Sequence, residues 1–314
     1  MTNKTIILVT GGAGNVGSAL VEALIKDINN FVVVVDNLLT GSREKLPQST
    51  HDNLKFIQCD VNIEDEITSV FHTFSFDYVF HYAALVGVKR TLKYPVSVLE
   101  DINGIKHVLN LSKNTGVKRV IYSSSSEVYG EPVEYPQNEE TTPLNSRLPY
   151  AIVKNIGEAF LKSYQQEYGL DYTIFRFFNT YGPKQSKEFV ISKFINFALK
   201  NEAITIYGDG SQTRTFCYIE NNINASLKAA FSEVGKNKTI NIGNNVETTV
   251  LDLAKTIIKL TNSKSDIKHL PALEDGDMTR RNPDITIMKS LLNQEIYSLE
   301  KGLKKVLEDT SFIL

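Results

Sequence analysis

The sequence predicts an α/β protein: a doubly wound parallel sheet followed by a smaller C-terminal α/β lobe. Three observations carry that expectation. Short apolar runs alternate with helical patterns over roughly the first 120 residues. One of those runs, Phe31-Val32-Val33-Val34-Val35, is unbroken and β-branched, as in strands buried on both faces of a parallel sheet. Between the first run and the first helical pattern lie Gly11, Gly14 and Gly17.

The elements follow in order. Thr5–Val9 is a strand that enters the glycine turn, and the apolar helical pattern beyond it runs from Ala19 to Ile25. A strand, a turn of bare backbone and a helix N-terminus together offer amide donors and a positive dipole end to a phosphate. The spacing is G-x-x-G-x-x-G, a relative of the dinucleotide-binding G-x-G-x-x-G. By itself it is weak, because turns and caps use glycine routinely. Gly11, Gly14, Asn15, Val16 and Gly17 are the candidate contacts there. The second strand ends at Asp36, with Asn37 next. Asp36 lies about 20 residues past the turn, the spacing at which an acid meets a ribose 2′-hydroxyl. A carboxylate there repels a 2′-phosphate, so NAD is favoured over NADP.

Residues 40–53 are polar and turn-rich, and Leu54–Cys59 is the third strand, ending in Asp60-Val61, a natural place for an acid to meet the adenine. Asp65–Phe74 reads as a helix and Tyr78–His81 as the fourth strand. Ala83 and Ala84 then let the backbone pass close to a flat cofactor, while His81 reads as structural. A helix spans about Val96 to Thr115, and the fifth strand starts at Arg119. The irregular stretch 130–149 is a plausible border of an active site.

The chemistry concentrates where the fifth strand ends, in Ser123-Ser124-Ser125-Ser126-Glu127. Four hydroxyls and a carboxylate are an odd closure for a buried strand. Tyr150 and Lys154 follow at i, i+4, on one face of a helix that continues through Tyr168. An ammonium beside a phenol favours the phenolate and makes tyrosine a usable general base. As a lone pattern Y-x-x-x-K is common by chance. Its value comes from following the glycine turn, the acid-ended second strand and the hydroxyl-rich fifth strand.

This ordered set resembles the extended short-chain dehydrogenase/reductase family, specifically its NAD-dependent nucleotide-sugar epimerases and dehydratases, which have a Rossmann-like fold. The motifs that carry the resemblance are Thr10–Gly17, Asp36-Asn37, Asp60-Val61, His81–Ala84, Ser125–Gly130 and Tyr150…Lys154. Arg176–Pro183 and Ile206–Arg214 continue it. The resemblance implies a hydride removed from sugar C4 by bound NAD, with Tyr150 taking the hydroxyl proton. Lys154 would tune Tyr150 and hold the nicotinamide ribose, Ser125 would hydrogen-bond the same hydroxyl, and Ser123 would line the cofactor. Asn179, Val190, Tyr207, Arg214 and Arg280 would hold the nucleotide diphosphate and its base. Arg280 closes a late motif that begins at Gly276.

Two positions depart from the family pattern or divide it. The family's helix asparagine is Asp101 here. Glu127 need not be acidic in plain 4-epimerases, whereas in dehydratases and decarboxylases a glutamate handles protons around C5. Ser126 stands where some dehydratases carry an acid, and Ser211–Tyr218 leans toward decarboxylase-like members. The leading expectation is a UDP-sugar 4-epimerase. The alternatives are a 4,6- or 5,6-dehydratase, a UDP-glucuronate decarboxylase or a C4 dehydrogenase, with GDP- or dTDP-sugars as other substrates. A non-catalytic NAD-binding regulator is the rival from another class, and it would have no use for a Tyr–Lys pair.

The expected domains are 1–172 for NAD and 173–314 for the nucleotide sugar, interleaved, in a homodimer. At 314 residues and a net charge of −2, the whole-protein field favours neither nucleic acid nor an anionic membrane. Cys59 and Cys217 are too far apart for a disulfide framework or metal-ligand spacing. No metal, a reducing compartment and a cytoplasmic location complete the expectations.

Overall fold

The computed structural model describes residues 4–48, 51–271 and 280–309. The chain forms two compact units. One comprises the chain through Val128 with Ser146–Phe177 and Ile223–Ile240; the other comprises Tyr129–Asn145, Phe178–Asn222 and the chain from Asn241.

The first unit holds β1 (Thr5–Thr10), α1 (Asn15–Leu24), β2 (Asn30–Asp36), β3 (Leu54–Gln58), α2 (Glu64–Thr73) and β4 (Tyr78–His81). It continues with α3 (Val88–Lys93), α4 (Pro95–Thr115), β5 (Arg119–Ser125), α5 (Pro149–Tyr168) and β6 (Asp171–Phe177). Further along the chain come β7 (Thr180–Tyr181), α6 (Val190–Leu199), β8 (Ile204–Tyr207), β9 (Thr213–Thr215), β10 (Cys217–Tyr218), α7 (Ile219–Ala230) and β11 (Lys238–Ile242). The last elements are β12 (Glu247–Thr249), α8 (Val250–Thr261), β13 (Ile267–Leu270), α9 (Thr286–Leu291) and α10 (Leu299–Glu308).

The main sheet runs β11-β6-β5-β4-β1-β2-β3, and β1 pairs in parallel with both β2 and β4. Strand order therefore reverses between β1 and β4. In a doubly wound sheet that reversal opens a crevice at the carboxyl ends of the strands. Val32, Val33, Val34 and Val35 are fully buried, as their β-branched run requires with side chains alternating to both faces. One face of the core joins Val33, Val35, Val120, Tyr122 and Ile174 from the strands to Ile105, Val108, Leu109, Val153 and Leu161 from α4 and α5. At about 25 cal/mol per Å² of apolar surface, this burial is the main source of stability for the unit.

Two local differences from the sequence reading have simple causes. α1 starts at Asn15, four residues before the apolar pattern, because extended Gly14 serves as its N-cap. α3 was not expected; it ends at Lys93, and α4 restarts after Tyr94 with Pro95 in its first turn, where a missing N–H costs nothing. Within α4, the Gly104 amide donates to Asn62 Oδ1 at 3.0 Å, and a Cβ at Gly104 would meet that oxygen at 2.7 Å.

The second unit is built from small pieces: β7 pairs with β10, β9 with β12 and β8 with β13. A buried Asn241 ties it together, accepting from the Tyr129 hydroxyl at 2.8 Å and donating to the Gln137 carbonyl at 2.9 Å. Among the described residues no helix is long and apolar enough to cross a membrane, and no cluster of side chains suits a metal ion. Both cysteines are free and buried, and burial pushes each thiol up to about 12.

Candidate active site

The glycine turn sits beside the strand reversal. Gly11 has φ +67°, and a Cβ there would lie 2.6 Å from the Ala83 nitrogen. A Cβ at Gly17 would collide with the Gly11 carbonyl oxygen. The turn is thus bare backbone packed on bare backbone, followed by the α1 N-terminus with Asn15 and Val16 in its first turn. Such a cradle offers backbone amides and a helix N-terminus to a phosphate.

Asp36 ends β2 and is almost wholly buried. Its carboxylate accepts the Ala13 amide at 2.9 Å and the Leu38 amide at 2.8 Å, which fixes it against the glycine turn. Each oxygen keeps acceptor capacity, the chemistry a ribose diol needs. The Asn37 amide donates to Asp60 Oδ2 at 2.9 Å, joining the ends of β2 and β3, and Val61 packs into the core.

His81 is structural, as its place at the end of a buried strand suggested. The Thr10 hydroxyl accepts the Tyr82 and Ala83 amides at 3.2 Å each and is hydrogen-bonded to His81 Nδ1 at 2.9 Å. Burial, with the Lys154 ammonium adding, pushes the imidazole down to about 3, so it is neutral at pH 7. Those contacts also hold Ala83, and Ala84 after it, at the carboxyl end of β4.

Tyr150 and Lys154 lie on the first turns of α5, with Tyr150 half-buried and Lys154 buried. The Lys154 ammonium is 5.7 Å from the Tyr150 ring centre and 5.0 Å from that of Tyr122. It donates to Ser123 Oγ at 3.4 Å, and Ser123 Oγ donates to the His81 carbonyl, also at 3.4 Å. Burial draws Lys154 down to about 8, opposed by the Asp101 carboxylate. A cation held near a phenol in a poorly solvated place favours the phenolate more strongly than it would in water. Ser125 Oγ accepts the Glu127 amide at 3.2 Å, so both belong to one tight turn that also buries Ser126. Glu127 is half-buried at the end of that turn.

Asp101 does not act as a plain replacement for an asparagine. It accepts the Leu85 amide at 2.7 Å and the Asn62 side chain at 3.3 Å. Burial holds its carboxyl above the usual range, against the pull of the Leu85 amide and of Lys154. The sequence did not connect Ser124 and Arg176 with Glu158, and the three form a buried network behind the Tyr–Lys pair. The signal was available: Glu158 is i+4 from Lys154, on the same helix face.

In the second unit, Asn179 adopts φ +37° and donates to the Thr215 carbonyl at 2.9 Å, the geometry of a turn residue. Val190 opens α6, and Tyr207 ends β8 with the Lys193 ammonium 6.0 Å from its ring centre. Arg214 lies on β9 and donates to the Thr213 carbonyl at 2.7 Å. Arg280 is gripped by Glu247, with Nη2 to Oε1 at 2.6 Å, and covers the Tyr135 ring at 4.3 Å. Residues 276–279 of the late motif lie outside the described residues.

A glycine cradle, a buried acid at the end of β2, and a Tyr–Lys pair beside serine hydroxyls are the parts of a site of the short-chain dehydrogenase type. The model of the NAD-dependent epimerase/dehydratase family matches residues 7–243, and the chain belongs to that family. The chain is 36% identical over 311 residues to UDP-glucuronic acid decarboxylase 1 of Danio rerio, spanning 96% of this chain and 72% of that one. A UDP-glucose 4-epimerase from Thermotoga maritima, solved with UDP-glucose, superposes with a TM-score of 0.90 at 34% identity. That match covers 97% of this chain and 98% of the other. The Thermus thermophilus UDP-glucose 4-epimerase, solved with NAD, gives a TM-score of 0.88 at 27% identity over 97% and 98% of the two chains. The protein is therefore an enzyme of the nucleotide-sugar epimerase, dehydratase and decarboxylase group, and its cofactor is NAD.

Proposed function

We propose that the protein oxidises C4 of a UDP-sugar and reduces it again on the opposite face, as a UDP-sugar 4-epimerase. The observation that carries the oxidation is the Lys154 ammonium set between the Tyr150 ring and Ser123 at the end of β5. Bound NAD supplies the two-electron oxidant. Tyr150, as phenolate, takes the C4 hydroxyl proton; Lys154 lowers the cost of that phenolate; Ser125 hydrogen-bonds the oxygen on which the proton sits. When the ketone is reduced, Tyr150 returns the proton, so the protein ends in its starting state. The 34% identity to a UDP-glucose 4-epimerase over nearly the full length of both chains supports the choice of reaction.

The second reading is decarboxylation of a UDP-uronic acid. A C4 ketone makes a C5 carboxylate a β-keto acid, which loses carbon dioxide readily, and Glu127 would manage the proton at C5. The 36% identity to a UDP-glucuronic acid decarboxylase supports it. Dehydration remains a third outcome of the same ketone. The first unit serves as the cofactor domain and the second as the nucleotide-sugar lobe, with Asn179, Val190, Tyr207, Arg214 and Arg280 as its binding residues. A homodimer forms through α4 and α5, which expose Val96, Leu99 and Ile152.

The deciding experiment incubates the protein with UDP-, GDP- and dTDP-sugars and weighs the products. Unchanged mass with inverted C4 supports the epimerase; loss of carbon dioxide or water replaces it with decarboxylase or dehydratase. Glu127→Gln separates the readings again, leaving epimerisation within a few-fold and costing the other two reactions roughly 10²-fold or more.

A further inference from the structure

Behind the Tyr–Lys pair, α5 is tied to the sheet by a buried polar strap. Glu158 accepts the Ser124 hydroxyl at 2.5 Å and Arg176 Nε at 3.0 Å on one oxygen, and Arg176 Nη2 at 2.7 Å on the other. Ser124 and Arg176 are register partners on β5 and β6, and all three residues are almost fully buried. Ser124 lies between Ser123, which meets Lys154, and Ser125.

Such a network is an improbable choice for stability alone. Desolvating two charges costs several kcal/mol per ion, and well-packed apolar replacements of buried pairs are often neutral or better. Directionality is what it adds. Apolar side chains can slide along a helix axis with little loss, whereas a guanidinium fork and a short hydroxyl bond on one carboxylate fix height and rotation. Glu158 lies one helical turn from Lys154 and two from Tyr150 on the same face, about 6 and 12 Å along the axis. Pinning Glu158 to β5 and β6 therefore pins the height of Tyr150 and Lys154 relative to the serines that close β5.

We propose that Ser124, Glu158 and Arg176 are positioning residues that set the register of α5 against β5, and through it the placement of Tyr150. The proposal rests on the reading of Tyr150 as the base. Tyr150 and Lys154 share α5, so a slip of the helix moves them together. The rate should fall while KM stays where it was.

The test compares the unsubstituted enzyme with Ser124→Ala, with the triple variant Ser124→Ala/Glu158→Leu/Arg176→Met, and with Tyr150→Phe. The substrate is whichever of UDP-glucose and UDP-glucuronate the unsubstituted enzyme turns over. The triple variant is expected to keep its melting temperature and KM while kcat drops about tenfold or more, since a misplacement of ~1 Å can cost 10²-fold. Ser124→Ala, which spares the ion pair, is expected to lose about threefold or more in kcat through a fraction of that displacement. A folded triple variant with kcat within about twofold of the original, or a loss carried by KM, overturns the proposal. If the triple variant does not fold, an undiminished kcat in Ser124→Ala overturns it. Full activity in Tyr150→Phe, or no turnover of either sugar, instead overturns the reading beneath it.

Discussion

Lys154 shows what the site costs the fold. An ordinary lysine near 10.5 becomes one at about 8, chiefly through burial, and the difference corresponds to on the order of 3 kcal/mol. The sign is set by proton binding. Between about 8 and 10.5 the unfolded chain holds a proton that the folded one has released, so stability rises with pH there. Below 8 both states are protonated and the penalty is fully present. Lys154→Met should therefore raise the melting temperature at pH 7 while abolishing turnover. A lower melting temperature would show that the ammonium's local contacts outweigh its burial. The same lysine predicts an alkaline limb in kcat near pH 8, where its charge is lost. His81, neutral at pH 7 and held by Thr10, predicts no limb of its own in a profile taken between pH 5 and 8.

At the scale of elements, two close approaches build the site. Gly157 lets α5 lie against the buried ring of Tyr122, where a Cβ would collide with the phenol oxygen. Gly157→Ala should cost about 1–3 kcal/mol by overpacking and lower kcat by displacing α5. A chemical denaturation curve and a rate at saturating substrate check both parts. Gly11→Ala meets both a left-handed φ and the Ala83 backbone, so the purified variant should carry much less NAD than the parent, measured after denaturation.

Much of this level was legible beforehand because it is local: the β-branched strand, the glycine turn, Asp36 at the correct distance and Tyr150–Lys154 at helical spacing. The Ser124–Glu158–Arg176 strap was not. Ser124 stood in the hydroxyl-rich end of a strand and Arg176 at the start of a later motif, and only the pairing of β5 with β6 makes them neighbours of each other and of Glu158. Nor could spacing reveal that Arg280 meets Glu247, since the two are 33 residues apart and join through side chains alone.

Across the whole molecule, the doubly wound parallel sheet was implied by the alternation of strand and helix, while its strand order came from the structure. The division into units follows long-range packing instead, with 129–145 grouped with the second unit and 223–240 with the first. Val96, Leu99 and Ile152 expose apolar surface on α4 and α5. Sedimentation at micromolar concentration should give a dimer, and Leu99→Glu with Ile152→Glu should give a folded monomer. A parent chain that sediments as a monomer would remove that interface.

In the proposed reaction Tyr150 and Lys154 make bound NAD a reactant toward C4 of a nucleotide sugar. Stopped-flow absorbance of the bound cofactor after mixing with UDP-glucose or UDP-glucuronate tests it most directly. The parent enzyme should show transient cofactor reduction with one of these sugars, and Tyr150→Phe, still loaded with NAD, should show almost none. Equal reduction in the two proteins would contradict the claim.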